Sequence, residues 1–309
     1  MSTVIYHSAD YDGLFSREVA KHFLGTEGVQ FIGWDFGQPL IPLPNYGTVY
    51  IIDLSPDCVA LPPNEDISQH SHRIVWIDHH KSSIEKWRSD IPGYRIDGVA
   101  ACRLAYQWFS IAQHNAQNST NEQLQVSLPS KERFVNREVS EPLAVTLAGE
   151  YDVWDHAKSN SKDVMFQFGL DSEDGLRWDW LLLEQNTYTL QIIAQGKCAM
   201  ACYAKRDADI MNGRSFMAEF EGLKFLCLNT ARCNSNTFAA KDVPETGHDA
   251  LMAFYYTGKG FSCSLYHAAH RKDIDLSLIA AKYGGGGHRG ACGFRFDNFR
   301  NENGKFQIV

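Results

Sequence analysis

The chain has 309 residues, 44% of them hydrophobic and 21% charged, and a formal net charge of −8. That length exceeds one comfortable core and predicts two domains, while the acidic balance argues against tight binding to long nucleic acid, which depends on neutralising many phosphates. No apolar run of roughly 18 residues occurs, and MSTVIY is not a basic start leading into an apolar stretch, so neither a membrane span nor a signal peptide is expected and the default location is cytoplasmic.

In chain order, residues 3–6 (TVIY) predict a short strand that stops at His7. Residues 16–24 have helical periodicity, and residues 29–34 predict a second strand. Residues 48–54 (TVYIIDL) and 73–78 (RIVWID) read as buried strands carrying an acid at or near their ends. Alternating β and α elements imply a parallel, doubly wound sheet, whose ligand site lies at the carboxyl ends of the strands. Residues 100–114 form an amphipathic helical pattern, 115–137 a polar surface excursion, and 141–150 a helix leading into Tyr151-Asp152. Residues 181–211 read as one long helix, with room for a single break, between domains. After Asn212-Gly213 the pattern changes to two hairpins, 215–228 around Glu221-Gly222 and 251–266 around Gly258-Lys259-Gly260. A helix at 276–283 then runs into four glycines and a final strand. The expected organisation is residues 1–185 as a catalytic domain, 186–213 as a linker helix and 214–309 as a smaller α/β domain, with the active site in the cleft between them.

Eight scattered cysteines contain no CxxC pair and read as small buried hydrophobes. The chemistry lies in clusters of acid and histidine: His7-Ser-Ala-Asp10-Tyr-Asp12-Gly13, where an extended turn would aim two carboxylates at two metals; Asp53; Asp78-His79-His80; and Asp152, with Asp155 and His156 behind it. A lone aspartate at a strand end is more often a cap. Several such clusters at successive strand ends point instead to a centre for hard divalent cations, which favour carboxylate, imidazole and water. Two such ions can clamp a phosphate and acidify a water between them. The run Gly284-Gly285-Gly286-Gly287-His288-Arg289-Gly290 is read as a backbone cradle for an anion, with His288 and Arg289 as donors.

HSADYDG, Asp53, DHH at 78–80 and EYDVW with Asp152 resemble, in order, the four motifs of the DHH phosphoesterase superfamily, and GGGGHRGACGF resembles the signature of its type 1 DHH-associated C-terminal domain. The resemblance spans nearly the whole chain. It implies two divalent ions, Mn²⁺ first with Mg²⁺ or Co²⁺ as alternates. It implies that His7 and Asp10 hold one ion, that Asp12, His79 and Asp152 hold the other, and that Asp53 bridges them. Asp78 would orient a neighbouring ligand, and His80 would touch the reacting phosphate. Gly286, Gly287, His288 and Arg289 would contact the phosphates or nucleotide of the substrate. A bimetal-activated hydroxide would release nucleoside 5′-monophosphates. Two departures stand out: Ser264-Leu265-Tyr266-His267 replaces a stretch that carries an arginine in many relatives, and Gly98-Val99-Ala100-Ala101 lacks a serine.

Within the superfamily, the C-terminal signature argues against the inorganic pyrophosphatase branch. The exonuclease branch usually adds an oligonucleotide-binding domain, for which the 13 residues after Phe296 leave no room. The expected function is a phosphodiesterase, or oligoribonuclease, acting on short linear RNA and on dinucleotides such as pGpG and pApA. No long nucleic acid or membrane partner is expected, and a homodimer is a candidate assembly. The enzymatic alternatives are a 3′-phosphoadenosine 5′-phosphate phosphatase and a cyclic dinucleotide phosphodiesterase. The alternative from another class is a non-catalytic nucleotide sensor.

Overall fold

A computed structural model describes residues 2–87, 91–118, 126–231 and 233–308. The chain divides into two units, Met1–Ala199 and Met200–Val309. Among the described residues, no helix is long and apolar enough to cross a membrane.

The first unit begins with β1 (Ser2–His7), α1 (Tyr11–Leu24), β2 (Val29–Trp34), β3 (Ile41–Pro42), β4 (Thr48–Ile52), β5 (Val59–Ala60) and β6 (Ile74–Asp78). It continues through α2 (Lys81–Lys86), β7 (Gly93–Arg95), α3 (Ala101–Gln117), α4 (Lys131–Val135), α5 (Leu143–Asp152), α6 (His156–Ser159), α7 (Lys162–Ser172) and α8 (Trp178–Leu181). Five strands form a parallel sheet in the order β2-β1-β4-β6-β7. Side chains of period two separate onto its two faces. Val4, Ile52 and Ile77 join the core beneath α1, α3 and α5, whereas Ile5, Ile51 and Trp76 join a second core closed by Ile41, Leu43, Leu54 and Ile67. Burial on both faces is why these strands are apolar almost throughout.

Helix α9 (Thr187–Arg214) contains the boundary between the units. The single break allowed in the helical segment 181–211 falls at its start, where the chain leaves α8 at Leu181 and begins again at Thr187. Asn186, a residue type suited to a helix start, accepts the Leu190 N–H at 2.9 Å through its carbonyl.

The second unit holds β8 (Ser215–Phe220), β9 (Leu223–Asn229), β10 (Ala250–Tyr256), β11 (Phe261–His267), α10 (Ser277–Lys282), β12 (Gly286–His288), β13 (Ala291–Phe296), β14 (Phe299–Glu302) and β15 (Lys305–Ile308). Both expected hairpins form, β8–β9 and β10–β11, in an eight-stranded mixed sheet. Phe225, Cys227, Met252 and Phe254 pack on one face, and Leu226, Leu228 and Leu251 on the other. The expectation of one final strand was incomplete. Asn303 and Gly304, both at positive φ (52° and 76°), turn the chain between β14 and β15, which is the hairpin chemistry of an Asn-Gly pair.

The polar excursion at 115–137 is not wholly surface. Phe134 in α4 is buried, and the Tyr94 hydroxyl donates to the Pro129 carbonyl. Residues 119–125 of that excursion lie outside the described residues.

Candidate metal centre

β1 and β4 are adjacent in the sheet, and the chain leaves them toward opposite sides. This is the switch point at which open α/β sheets bind ligands. His7 ends β1, Asp53 follows β4, and Asp78 ends β6 with His79 and His80 directly after it. Asp53 has φ 60°, in the left-handed region, and its N–H donates to the Ile77 carbonyl at 2.9 Å. Such a conformation costs free energy in a non-glycine residue, and aspartate is among the side chains that tolerate it best.

The first motif differs from the extended turn expected of it. Asp10 caps α1, its Oδ1 accepting the Gly13 N–H at 3.0 Å, and Asp12 lies inside the first turn of the helix. The helix places the Asp12 carboxylate in the interior, where its two oxygens accept the Ala101 and Cys102 N–H groups at 2.8 and 2.7 Å. Asp12 therefore caps α3 from a distance as well as facing the site.

Two groups of donors form around Asp53. In the first, His7 Nδ1 lies 2.9 Å from Asp10 Oδ2 and 3.5 Å from Asp53 Oδ2. In the second, His79 Nε2 lies 3.5 Å from Asp12 Oδ2, 3.4 Å from Asp53 Oδ1 and 3.4 Å from Asp152 Oδ2. One donor atom from each of His7, Asp10 and Asp53, and likewise from Asp12, Asp53 and His79, falls within 4.8 Å of the others. Asp152 reaches the group from the last residue of α5. The structure thus brings all six expected ligands together inside the first unit, with the two oxygens of Asp53 turned toward different histidines.

Asp78 is fully buried. Its Oδ1 accepts the backbone N–H groups of His79 and His80 at 2.8 and 3.2 Å and lies 2.8 Å from His80 Nδ1. That one oxygen fixes the backbone and the ring that follow it. Asp35, just after β2, is a site residue that the sequence reading missed: its Oδ1 lies 3.4 Å from His7 Nε2. A carboxylate behind a metal-binding imidazole sets its tautomer and direction. The available signal was another acid at the end of another strand of the sheet. His156 pairs instead with Asp163, its Nδ1 lying 2.5 Å from Asp163 Oδ2.

The electrostatics of the site call for cations. Both oxygens of Asp53 and Oδ2 of Asp152 are buried without a hydrogen-bond partner. Burial, reinforced by Asp12, holds the Asp53 carboxyl well above the ordinary carboxylate range. Burial does the same to Asp152, only partly offset by His79. Burial alone would lower the His7 imidazole, but the neighbouring Asp10 and Asp53 carboxylates outweigh it and push it up to about 11. Buried His79 is likewise raised, chiefly by Asp152 and Asp12. Without metal, then, protons take up the negative charge that this set of oxygens cannot ionise together. The donors are all carboxylate and imidazole, the set suited to Mn²⁺ or Mg²⁺, so the residues fit a divalent metal centre.

In the second unit the glycine cluster is not an open cradle. Gly286–His288 is the edge strand β12, paired with β13 in the register Gly286↔Gly293, Gly287↔Cys292 and His288↔Ala291. A Cβ on Gly285 would sit 2.0 Å from the Gly293 carbonyl oxygen, so close strand approach explains part of the run. Residues 286–289 are all exposed, and the Arg289 guanidinium donates to the Asp273 carbonyl. The Tyr266 hydroxyl donates to the Cys233 carbonyl at 2.9 Å. The neighbouring His267 and Arg271 are engaged within the unit by Ile274 and by Asp249 and Asp273.

Neither a family model nor a curated protein matches the chain. Solved structures do. The DHH domain of a protein described as a member of a ribosomal protein family is 13% identical, with 96% of this chain and 82% of that chain covered at a TM-score of 0.51. The pGpG-specific phosphodiesterase PggH of Vibrio cholerae is 14% identical over 95% of this chain and 92% of that one, with a TM-score of 0.40. RecJ of Thermus thermophilus, solved with Mn²⁺, is 13% identical over 96% of this chain and 49% of that one, with a TM-score of 0.47. The first of these likenesses shows the fold.

Proposed function

We propose that this chain, which has the fold of the DHH superfamily, is a divalent-metal-dependent phosphodiesterase that hydrolyses short linear oligonucleotides and dinucleotides to nucleoside 5′-monophosphates. The observation that carries the reading is the sharing of Asp53 between two donor groups, one with His7 and one with His79. A single-ion site or a structural ion pair has no use for two buried carboxylate oxygens that face different histidines and lack hydrogen-bond partners. His7 and Asp10 would hold one cation, Asp12, His79 and Asp152 would hold the other, and Asp53 would serve both. Bound there, two divalent ions supply Lewis-acid polarisation of the phosphate and a water acidic enough to react near neutral pH.

The remaining roles belong to the chain itself. Asp35 keeps the His7 ring directed toward Asp10 and Asp53. Asp78 keeps the His80 ring in place. Burial alone would lower the His80 pKa, but Asp78 outweighs it and raises it, so His80 offers a proton to an anionic oxygen of the substrate. His288 and Arg289, with the backbone of Gly286 and Gly287, grip the phosphates or the far nucleotide. The net charge of −8 supports a short substrate, because a long polyanion gains little from an acidic surface.

Incubation of the full chain with Mn²⁺, Mg²⁺ or Co²⁺ and a panel of pGpG, pApA, cyclic dinucleotides, longer RNA and 3′-phosphoadenosine 5′-phosphate tests the reading. The expected result is fastest release of 5′-monophosphates from the linear dinucleotides with Mn²⁺. Failure to cleave any phosphodiester with any of the three metals would leave the nucleotide-sensor reading in its place.

A further inference from the structure

Beside the metal centre lies an aromatic ring whose exposure packing does not explain. Phe36 is 63% exposed, yet it is firmly held. The turn that presents it is closed by the Gln38 N–H donating to the Asp35 carbonyl at 3.1 Å. Asp35 Oδ1 accepts the Phe36 N–H at 2.7 Å, and Gln38 Oε1 accepts the Asp35 N–H at 3.2 Å. Gly37, at φ 86°, supplies the left-handed position that this turn requires. Next to it, buried Trp34 is pinned by its indole N–H to the Pro39 carbonyl at 3.0 Å.

The Phe36 ring meets His7 and Trp34 edgewise, each with centroids 5.6 Å apart and planes 67° apart. Edge contacts on this scale leave much of the ring surface to solvent. Scattered exposed apolar side chains are ordinary on protein surfaces. This one differs in two respects: four hydrogen bonds fix its segment, and it touches the imidazole that faces Asp10 and Asp53.

We propose that Phe36, backed by Trp34, is a nucleobase-stacking subsite for the nucleotide whose phosphate sits at the metal centre. The inference rests on the phosphodiesterase reading above and adds where the base goes. A flat ring adjoining a phosphate site matches the geometry of a nucleotide, whose base and phosphate are joined through one sugar. Every base has a π face, so the subsite recognises the presence of a base and is tolerant of its identity. Phe36 is thus a binding residue and not a proton donor or ligand.

Calorimetric titration of the full chain in Mn²⁺ with adenosine 5′-monophosphate and with ribose 5-phosphate separates the base from the phosphate. The wild type is expected to bind the monophosphate about tenfold or more tightly than the sugar phosphate. Phe36→Ala should erase that preference without weakening ribose 5-phosphate, and Phe36→Trp should keep it. With pApA, Phe36→Ala should raise KM by a similar factor and leave kcat nearly unchanged. An undiminished preference in Phe36→Ala, or equal losses for both ligands, overturns the subsite. A wild-type protein that cleaves no phosphodiester yet shows the Phe36-dependent base preference counts against the phosphodiesterase reading and for the subsite.

Discussion

Asp12 Oδ1 accepts the backbone N–H of Cys102 at 2.7 Å, across 90 positions of sequence. Its Oδ2 accepts the Ala101 N–H and also faces His79 Nε2 at 3.5 Å. One buried carboxylate thus closes the start of α3 and forms one wall of the candidate metal centre. Folding of the helical layer and assembly of the site are joined at this side chain.

Asp12→Ala should therefore be costly even without metal. Two buried N–H groups lose their acceptor, and such losses cost about 1–3 kcal/mol for each group left unsatisfied. Urea unfolding in the presence of a chelator should show a drop of at least about 1 kcal/mol, together with lost activity in Mn²⁺. Unchanged stability in the chelator would mean that the cap is not needed for folding.

Asp53 should behave in the opposite way. Its carboxyl is buried, both its oxygens lack partners, and burial with Asp12 nearby raises its folded-state pKa well above 3.8. Ionisation then opposes folding as pH rises past the unfolded value of 3.8. Asp53→Asn tolerates the same left-handed backbone and removes the charge. The metal-free variant should be more stable than wild type near neutral pH, by about 1 kcal/mol or more. That advantage should vanish in acid below the unfolded pKa, and turnover should be abolished at every pH. A metal-free variant less stable than wild type at neutral pH would contradict this account of the buried carboxylate.

The same charges predict proton release on metal binding. His7 is raised to about 11, and Asp53 and Asp152 are raised as well, so the metal-free site holds protons near neutral pH. Cations must displace them, so apparent Mn²⁺ affinity should climb from about pH 6 to about pH 8. Titrations in buffers of different ionisation enthalpy should report at least one proton released. Affinity independent of pH across that window would mean that the site is already deprotonated before metal arrives.

Much of this was legible because buried parallel strands are nearly all apolar, so an acid at the end of TVYII or IVWI stands out. Asp35 was not legible for the converse reason. β2 is partly buried or exposed at every position but Trp34, and an aspartate one residue ahead of Phe36-Gly37 resembles any turn. The cap that Asp12 places on α3 lies 89 and 90 positions away in sequence, and no local pattern encodes it. The glycine run permits close approach, and the sequence alone does not say to what. The close approach at Gly285 is to the neighbouring strand at Gly293.

His288→Ala and Arg289→Ala should weaken substrate binding and spare the metals. Both side chains belong to the second unit, whereas all six candidate ligands belong to the first. Loss of a charged contact costs about 1.5–3 kcal/mol, which is roughly tenfold to a hundredfold in affinity. Arg289 also donates to the Asp273 carbonyl, so Arg289→Lys tests whether the planar fork or only the charge is needed. Calorimetry showing lost Mn²⁺ binding with unchanged dinucleotide affinity would remove these residues from the substrate site.

Substrate length is the last expectation, and it follows from charge. A protein that binds long single strands neutralises their phosphates with a basic groove and stacks successive bases on aromatic residues. This chain has 29 basic against 37 acidic residues. Each nucleotide beyond the reacting one adds a negative charge and gains little from such a surface. What the proposed site of the first unit offers is local: one phosphate at the metal centre and one base at Phe36. A dinucleotide satisfies both, and a longer chain adds only repulsion. In competition among end-labelled RNAs of about two, five and twelve nucleotides, the shortest should disappear first, with a KM that changes little as salt is raised. Equal or faster processive degradation of the longest, with KM rising steeply in salt, would mean that a basic track guides the strand. An exonuclease on long RNA would then be the better description.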